Sequence, residues 1–297
     1  MKRILKGIIG IFIIMFVWVL FSGNMGKAVQ VFSSNGTKTF IETQESITEE
    51  SKSSDTPSVS AIAALTLDVS SNKIIYAKNI HNRMYPASTT KLLTAQVFAD
   101  NENKNSVITY TKDSKMQPAN KLDLIVGEEL KGDTAMKGML IYSANDIAEA
   151  IGENVAGSIP AFAEKMNEKA SSLGLKESHF ANANGLPNEN HYTTAYDLSK
   201  IAKNVYNYPW IMNILGEKSD DIKTRGKDIQ LENTNKLLGI DGCIAGKTGY
   251  TAAAGRCLVA YYERNNKKMI GIVLGSANEE TVDSDMEKII DWSYSKL

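Results

Sequence analysis

Hydrophobic and polar positions divide the chain into three stretches. Lys2, Arg3 and Lys6 precede an apolar run from Ile8 to Phe21. A basic start followed by about 14 apolar residues is the form of a secretory signal. The run is short for a membrane span, which needs about 20 residues, although the residues from Gly7 to Met25 bring it near that length. A cleaved signal, with Gly26-Lys27-Ala28 as a small-x-small cleavage site, and a retained N-terminal membrane anchor both fit residues 1–28. Either places the rest of the chain outside the cytoplasm. Residues 29–58 hold 12 Ser or Thr and only scattered large apolar residues, which is the composition of a flexible tether. From Val59 to Leu297 the patterning is that of a folded domain.

Within that domain the pattern predicts strands at Ala61–Leu67 and Lys73–Lys78, joined by a turn over 68–72. Pro86 opens a helix whose apolar face is Leu92, Leu93 and Val97. Helical periodicity fills the middle: Ala135–Val155, interrupted near Ser143-Ala-Asn145, then Ala161–Leu173 and Ala195–Tyr206. Strand patterns return at Ile229–Asn233, Ala245–Gly249, Arg256–Arg264 and Lys268–Gly275, and a last helix spans Val282–Tyr294. Strands, a helical middle, then strands and a helix is not an alternating βαβ order. The expected fold class is α+β, an antiparallel sheet flanked by helices with a helical subdomain.

Composition narrows the function. The formal charge of −1 on 297 residues disfavours nucleic acid as a partner. Loss of the four cations in residues 1–28 would take it to −5. Three histidines and two cysteines, with no Cys-x-x-Cys and no His-Glu-x-x-His, leave little for a zinc site. No metal and no cofactor are expected. Cys243 and Cys257 flank a predicted hairpin and could face each other across strands, though two buried thiols are the favoured state over a disulfide.

Three short motifs remain. Ser-x-x-Lys supplies a nucleophile and a base on one helix face. It occurs at Ser70/Lys73, Ser88/Lys91 and Ser293/Lys296, and only Ser88 opens a helix, where free backbone N–H groups favour a developing anion. Ser-x-Asn recurs in the leader, the tether and a turn (Ser22, Ser33, Ser70), but Ser143-Ala-Asn145 sits at a break between apolar helices. Lys247-Thr248-Gly249 occurs once, on a predicted strand, where glycine permits close approach of a ligand. In this order the three form the motif set of penicillin-binding proteins and class A β-lactamases.

From about Val59 onward the chain resembles the serine D-alanyl-D-alanine carboxypeptidases, the low-molecular-mass penicillin-binding proteins. The segments that carry the likeness are Tyr85-Pro-Ala-Ser-Thr-Thr-Lys-Leu-Leu-Thr-Ala95, Leu140-Ile-Tyr-Ser-Ala-Asn-Asp146, Asn184-Gly-Leu-Pro-Asn-Glu-Asn-His-Tyr-Thr-Thr-Ala-Tyr-Asp-Leu198, and Gly246-Lys-Thr-Gly-Tyr-Thr with Ala254-Gly-Arg-Cys-Leu-Val-Ala260. The resemblance implies a serine β-lactamase/transpeptidase-like fold and removal of the terminal D-Ala from peptidoglycan stem peptides. It implies β-lactam antibiotics as acylating ligands. By the same resemblance Ser88 is the acylated nucleophile, Lys91 its base and Ser143 a proton relay. Asn145 holds the substrate amide, Lys247 supplies positive potential, Thr248 binds the terminal carboxylate and Gly249 lets it approach. The backbone N–H groups of Ser88 and Tyr250 form the oxyanion hole.

The sequence departs from many relatives in two places. It ends just after the last expected helix, without a further β-rich domain. The start of that helix reads Glu279-Glu-Thr-Val-Asp283 and lacks an arginine that many relatives use for the carboxylate; Arg256 or Arg225 are the candidates to replace it. A class A β-lactamase is the main alternative, but Glu177 and Glu189 lack the context of its deacylating glutamate. A penicillin-acylated sensor and a transpeptidase are the others. His191 is read as structural, Trp210 and Tyr206 as packing, and Asp197 as support for its own helix.

Overall fold

A computed structural model describes residues 55–297; the leader and most of the tether lie outside them. Among the described residues no helix is long and apolar enough to cross a membrane. The centre is a five-stranded antiparallel sheet. Its strands are β1 (Ala63–Asp68), β2 (Lys73–Lys78), β7 (Cys243–Thr251), β8 (Gly255–Arg264) and β9 (Lys267–Ser276), in the order β2-β1-β9-β8-β7. The first two strands therefore pair with the last three, and the helical middle is one long excursion between them.

Alternation along the strands assigns the two faces. In β8, Cys257, Val259 and Tyr261 enter one core cluster, while Leu258, Ala260 and Tyr262 enter another. In β9, Ile270, Ile272 and Leu274 take the first side and Met269 and Val273 the second. Apolar residues on both faces make the strands read as continuous apolar runs. The second face is covered by α8 (Glu279–Ser295), through Met286, Ile289 and Ile290. Contact there is close: a Cβ on Gly271 would lie 2.3 Å from Met286 Sδ. The buried Asp285 carboxylate ties α8 to the start of β1, accepting from Ser60 N, Ser60 Oγ and Ala61 N. Asp285→Ala leaves those donors without their charged acceptor. We expect it to lower unfolding free energy by about 3 kcal/mol, read by urea denaturation.

The first face carries the helical subdomain. It comprises α1 (Lys91–Asn101), α2 (Lys112–Met116), α3 (Gly132–Leu140), α4 (Asn145–Ala156), α5 (Ile159–Ser172), α6 (Ala195–Asn204) and α7 (Pro209–Leu215). Short hairpins β3/β4 (Val107–Thr109, Glu129–Lys131) and β5/β6 (Ser219–Lys223, Asp228–Glu232) complete the set. The expected one-sided α1 is instead buried all round over residues 91–98, the pattern of a central helix. Its polar residues are satisfied internally: Thr94 Oγ1 donates to Ala183 O, and Gln96 bonds Ile201 O and Asn204. The expected α-helical start at Pro86 is a single 3-10 turn, Ala87–Thr90, that feeds into α1.

Several sequence expectations take definite form. The other two Ser-x-x-Lys pairs are structural: Ser70 Oγ donates to Asp68, and Ser293 Oγ bonds Thr66 Oγ1 from α8. A further Ser-x-Asn, Ser276-Ala-Asn278, ends in the N-cap of α8. The two cysteines do not face each other: Cys257 stands opposite Gly249 and Cys243 opposite Tyr262. Both are buried free thiols, and burial raises both pKa values, that of Cys257 to about 11. Asp197 does more than support its own helix, since its carboxylate accepts from Glu177 N and Ser178 Oγ.

Candidate active site

Two elements of the helical subdomain and one edge strand of the sheet meet at a cleft of about 390 Å³. The turn Ala87–Thr90 brings Ser88, the break before α4 brings Ser143 and Asn145, and β7 brings Thr248 and Gly249; all five line the cleft. Residues far apart in sequence converge because the turn and the α3–α4 break both abut the β7 edge. Backbone strain marks both positions. Ala87, just before Ser88, has φ 47°, and Ser143 has φ 66°, a region that non-glycine residues enter at a cost of about 1–3 kcal/mol. The neighbouring Gly185 lies so close that a Cβ there would be 1.9 Å from Ala87 O.

Lys91 is fully buried at the floor. Its Nζ lies 2.8 Å from Ser88 Oγ, from Asn145 Oδ1 and from Asn184 O. Asn145 Oδ1 and a carbonyl can only accept, whereas a hydroxyl can also donate. A neutral amine has two N–H donors and one lone pair, so it fits this set with its lone pair facing the Ser88 hydroxyl. Burial, and then the charge of Lys247, hold the Lys91 pKa well below its ordinary value, against the opposing pull of Asp146. Asp146 is itself held away, accepting from Tyr110 OH, Leu122 N and Asp123 N.

Lys247 is the second buried amine. Its Nζ lies 2.9 Å from Ser143 Oγ and from Thr248 O, and burial lowers its pKa to about 7. The charge that Lys247 carries when protonated disfavours a proton on Lys91.

Gly249 sets the distance between β7 and the serine turn. A Cβ on it would lie 2.8 Å from Ser88 N and 3.1 Å from Thr89 N. With Ser88 as the acylated serine and oxyanion-hole donor that the resemblance implies, Gly249→Val is expected to push the strand off the turn and slow acylation by benzylpenicillin about 100-fold, the scale for losing one oxyanion donor; stopped-flow or intact-mass kinetics would measure it. Tyr250 follows at the cleft wall with its ring half exposed. Thr248 Oγ1 lies 2.5 Å from Thr234 Oγ1, a second hydroxyl in the cleft.

All the site residues expected from sequence — Ser88, Lys91, Ser143, Asn145, Lys247, Thr248, Gly249 and Tyr250 — come together. The sequence motifs miss Asn184, whose carbonyl is the third partner of Lys91 and whose Nδ2 lies 3.0 Å from Gln117 Oε1. The Asn184-Gly185 pair is the signal that could have found it. They also miss Thr234, Lys236 and Glu279 on the cleft wall. His191 stands outside the cleft lining. Its Nδ1 accepts from Ala181 N, so its Nε2 donates to Thr90 Oγ1, and burial lowers its pKa to about 4. Glu177 is at the surface, paired with His81, and neither it nor Glu189 lines the cleft. Trp210 packs on Phe98 and donates to Asp133.

A family model described as D-alanyl-D-alanine carboxypeptidase matches residues 50–278, and the chain belongs to that family. Carboxypeptidase DacF of Bacillus subtilis is 32% identical, over 80% of this chain and 62% of its own length. The D-alanyl-D-alanine carboxypeptidase of Streptomyces sp. K15 is 30% identical over 80% of this chain and 89% of its own length. The chain thus spans about 62% of the length of the first of these relatives. The fold is that of the penicillin-binding D,D-peptidases. The crystal structure of the Streptomyces K15 DD-transpeptidase superposes with TM-score 0.77 at 28% identity, covering 81% of this chain and 99% of that one. A D-alanyl-D-alanine carboxypeptidase structure from Mycobacterium tuberculosis gives TM-score 0.77 at 25% identity over 81% and 93%.

Proposed function

We propose that the protein is a serine D,D-carboxypeptidase that removes the terminal D-Ala from peptidoglycan stem peptides through an acyl-enzyme on Ser88. The observation that carries this reading is the environment of Lys91: a buried amine 2.8 Å from Ser88 Oγ whose two other partners can only accept. Lys91 takes the hydroxyl proton as Ser88 Oγ attacks the carbonyl carbon of the penultimate D-Ala. The oxyanion meets the N–H groups of Ser88 and Tyr250, two donors worth several kcal/mol between them. The C–N bond then breaks. The departing amine leaves with the Ser143 proton, which Lys247 replaces across 2.9 Å. Once the proton on Lys91 has returned to the Ser143–Lys247 pair, a water attacks the ester carbonyl, Lys91 takes the water's proton, and it passes that proton to Ser88 Oγ as the ester C–O bond breaks.

Asn145 has a double role in this scheme. Its Oδ1 fixes Lys91, while its Nδ2 is anchored by Ala119 O at 3.0 Å, which fixes the face presented to the substrate amide. Lys247 makes the carboxylate end of the cleft positive and Thr248 supplies the hydroxyl. Penicillins acylate the same serine and are released slowly, because no glutamate from between the second and third motifs lines the cleft to activate water. That separates this protein from a class A β-lactamase. An amine in place of water would give the transpeptidase outcome for which the Streptomyces K15 enzyme is named. Residues 1–28 would deliver the catalytic domain to the outer face of the cell membrane, with residues 29–58 as its tether.

The deciding experiment incubates the full chain with a peptide ending in D-Ala-D-Ala and measures released D-Ala, with and without a glycine acceptor. Release of D-Ala with water as sole acceptor supports the carboxypeptidase. Product made only with the amine acceptor identifies a transpeptidase, and no release refutes both.

A further inference from the structure

One end of the cleft carries a group of charges that the reaction scheme does not use. Arg256 on β8 and Lys236 from the loop before β7 both line it, and both close onto one carboxylate, that of Glu279 at the first residue of α8. Arg256 Nη1 lies 3.1 Å from Glu279 Oε1, and Lys236 Nζ lies 2.5 Å from Glu279 Oε2. The guanidinium is also stacked 4.2 Å over the Tyr250 ring. Arg256 stands opposite Tyr250 in the β7–β8 ladder, and Thr248 is two residues away on the same face. Diagonal neighbours of this kind are about 7–8 Å apart, within reach of a long side chain. The Thr248 and Thr234 hydroxyls and the two cations therefore border one stretch of wall. Asp283, one turn further along α8, also lines the cleft but makes no ion pair within 4 Å among the described residues.

We propose that Glu279 is the resident occupant of a carboxylate site made by Arg256, Lys236 and the two threonine hydroxyls, and that the C-terminal carboxylate of the peptide displaces it. A carboxylate bridging an arginine and a lysine is already in the geometry the site offers to any carboxylate. The exchange is feasible because the pair is wet: the Glu279 side chain is 48% exposed and that of Lys236 67% exposed. Tyr250 holds the guanidinium in place while the partner changes. Glu279 thereby sets specificity. It competes with every free carboxylate, and it leaves a ligand without one facing an intact ion pair.

The identity of the peptide rests on the function proposed above; the carboxylate preference does not. The test uses the full chain carrying Ser88→Ala, so that nothing turns over, and titrates N-acetyl-D-Ala-D-Ala and its C-terminal amide by NMR. Acid binding at least about 10-fold tighter than amide binding is expected. Adding Glu279→Gln should tighten the acid about 5-fold and leave the amide within about 2-fold; adding Arg256→Gln should erase the acid preference. Thermal melts exclude unfolding as the cause. An acid preference untouched by either substitution, an equal effect of Glu279→Gln on acid and amide, or no binding of the acid overturns the proposal. Failure of the wild-type chain to release D-Ala, with acid-selective binding intact, removes the proposed activity and leaves the carboxylate site standing.

Discussion

Ser88→Ala is expected to abolish covalent labelling by penicillin and to lower D-Ala release by about 10⁴-fold or more, the scale seen when a nucleophile that works as a unit with its base is removed. The expectation follows from the separation of roles in the cleft. Ser143, the other motif serine there, faces Lys247 at 2.9 Å, an amine whose pKa burial lowers to about 7. Ser143 thus lacks the Asn145 and Asn184 acceptors that orient the Lys91 lone pair on Ser88. The strained turn at Ala87 and the close approach of Gly249 both present Ser88 and not Ser143. The fold should survive, since one hydroxyl is lost from a partly exposed position. Intact mass after incubation with benzylpenicillin decides it: a single adduct on wild type and none on the variant is the expected pair of spectra. An adduct persisting in Ser88→Ala would place the nucleophile elsewhere.

How far the sequence foretells this arrangement depends on whether a feature is local. The pattern gives β2 to the residue, β8 and β9 within one residue at either end and β7 within two, because apolar runs bounded by turn residues are a short-range signal. The break at Ser143-Ala-Asn145 is also legible, as an interruption in helical periodicity. α7 escapes the pattern although Pro209 stands at its first position, a recognised start signal; seven residues give too few turns for periodicity to show. β3, β4 and α2 are shorter still. β5 reads Ser-Asp-Asp-Ile-Lys, mostly polar because most of it faces solvent. Non-local features are out of reach. The contact of Asn184 with Lys91 spans 93 positions. The full burial of α1 depends on partners from distant segments, among them Ala183 and α6, so its polar Thr94 and Gln96 look like a solvent face. The motifs supply the chemistry, and the three-dimensional fold supplies the Asn184 carbonyl, the second partner of Lys91 that can only accept.

The charge state of Lys91 controls the second large effect. In the proposed mechanism acylation requires neutral Lys91, whose pKa is held well below the ordinary lysine value by burial and then by Lys247. The rate constant for acylation by penicillin should therefore rise through an acid limb set by Lys91 and be flat long before about pH 10, where an exposed lysine would titrate. Lys91→Met removes the base and is expected to lower that rate constant by about 10³-fold or more, with the pH limb lost. Lys247→Met keeps Lys91 and removes the neighbouring charge. The proton on Lys91 is then less disfavoured, so its pKa rises and the acid limb moves to higher pH; the sign is the opposite of what loss of a stabilising partner would give. Stability follows the same linkage. Both amines have lower pKa values in the folded chain than in the unfolded one, so the unfolded state binds more protons between the folded and unfolded values. Unfolding free energy should consequently rise with pH from about 7, the folded value of Lys247, towards 10.5, and replacing Lys247 by methionine should flatten that slope. Penicillin acylation and urea midpoints measured from about pH 5 to about pH 10 on the same three proteins test both halves. An acid limb that stays in place in Lys247→Met would show that burial alone, and not the second lysine, keeps Lys91 neutral.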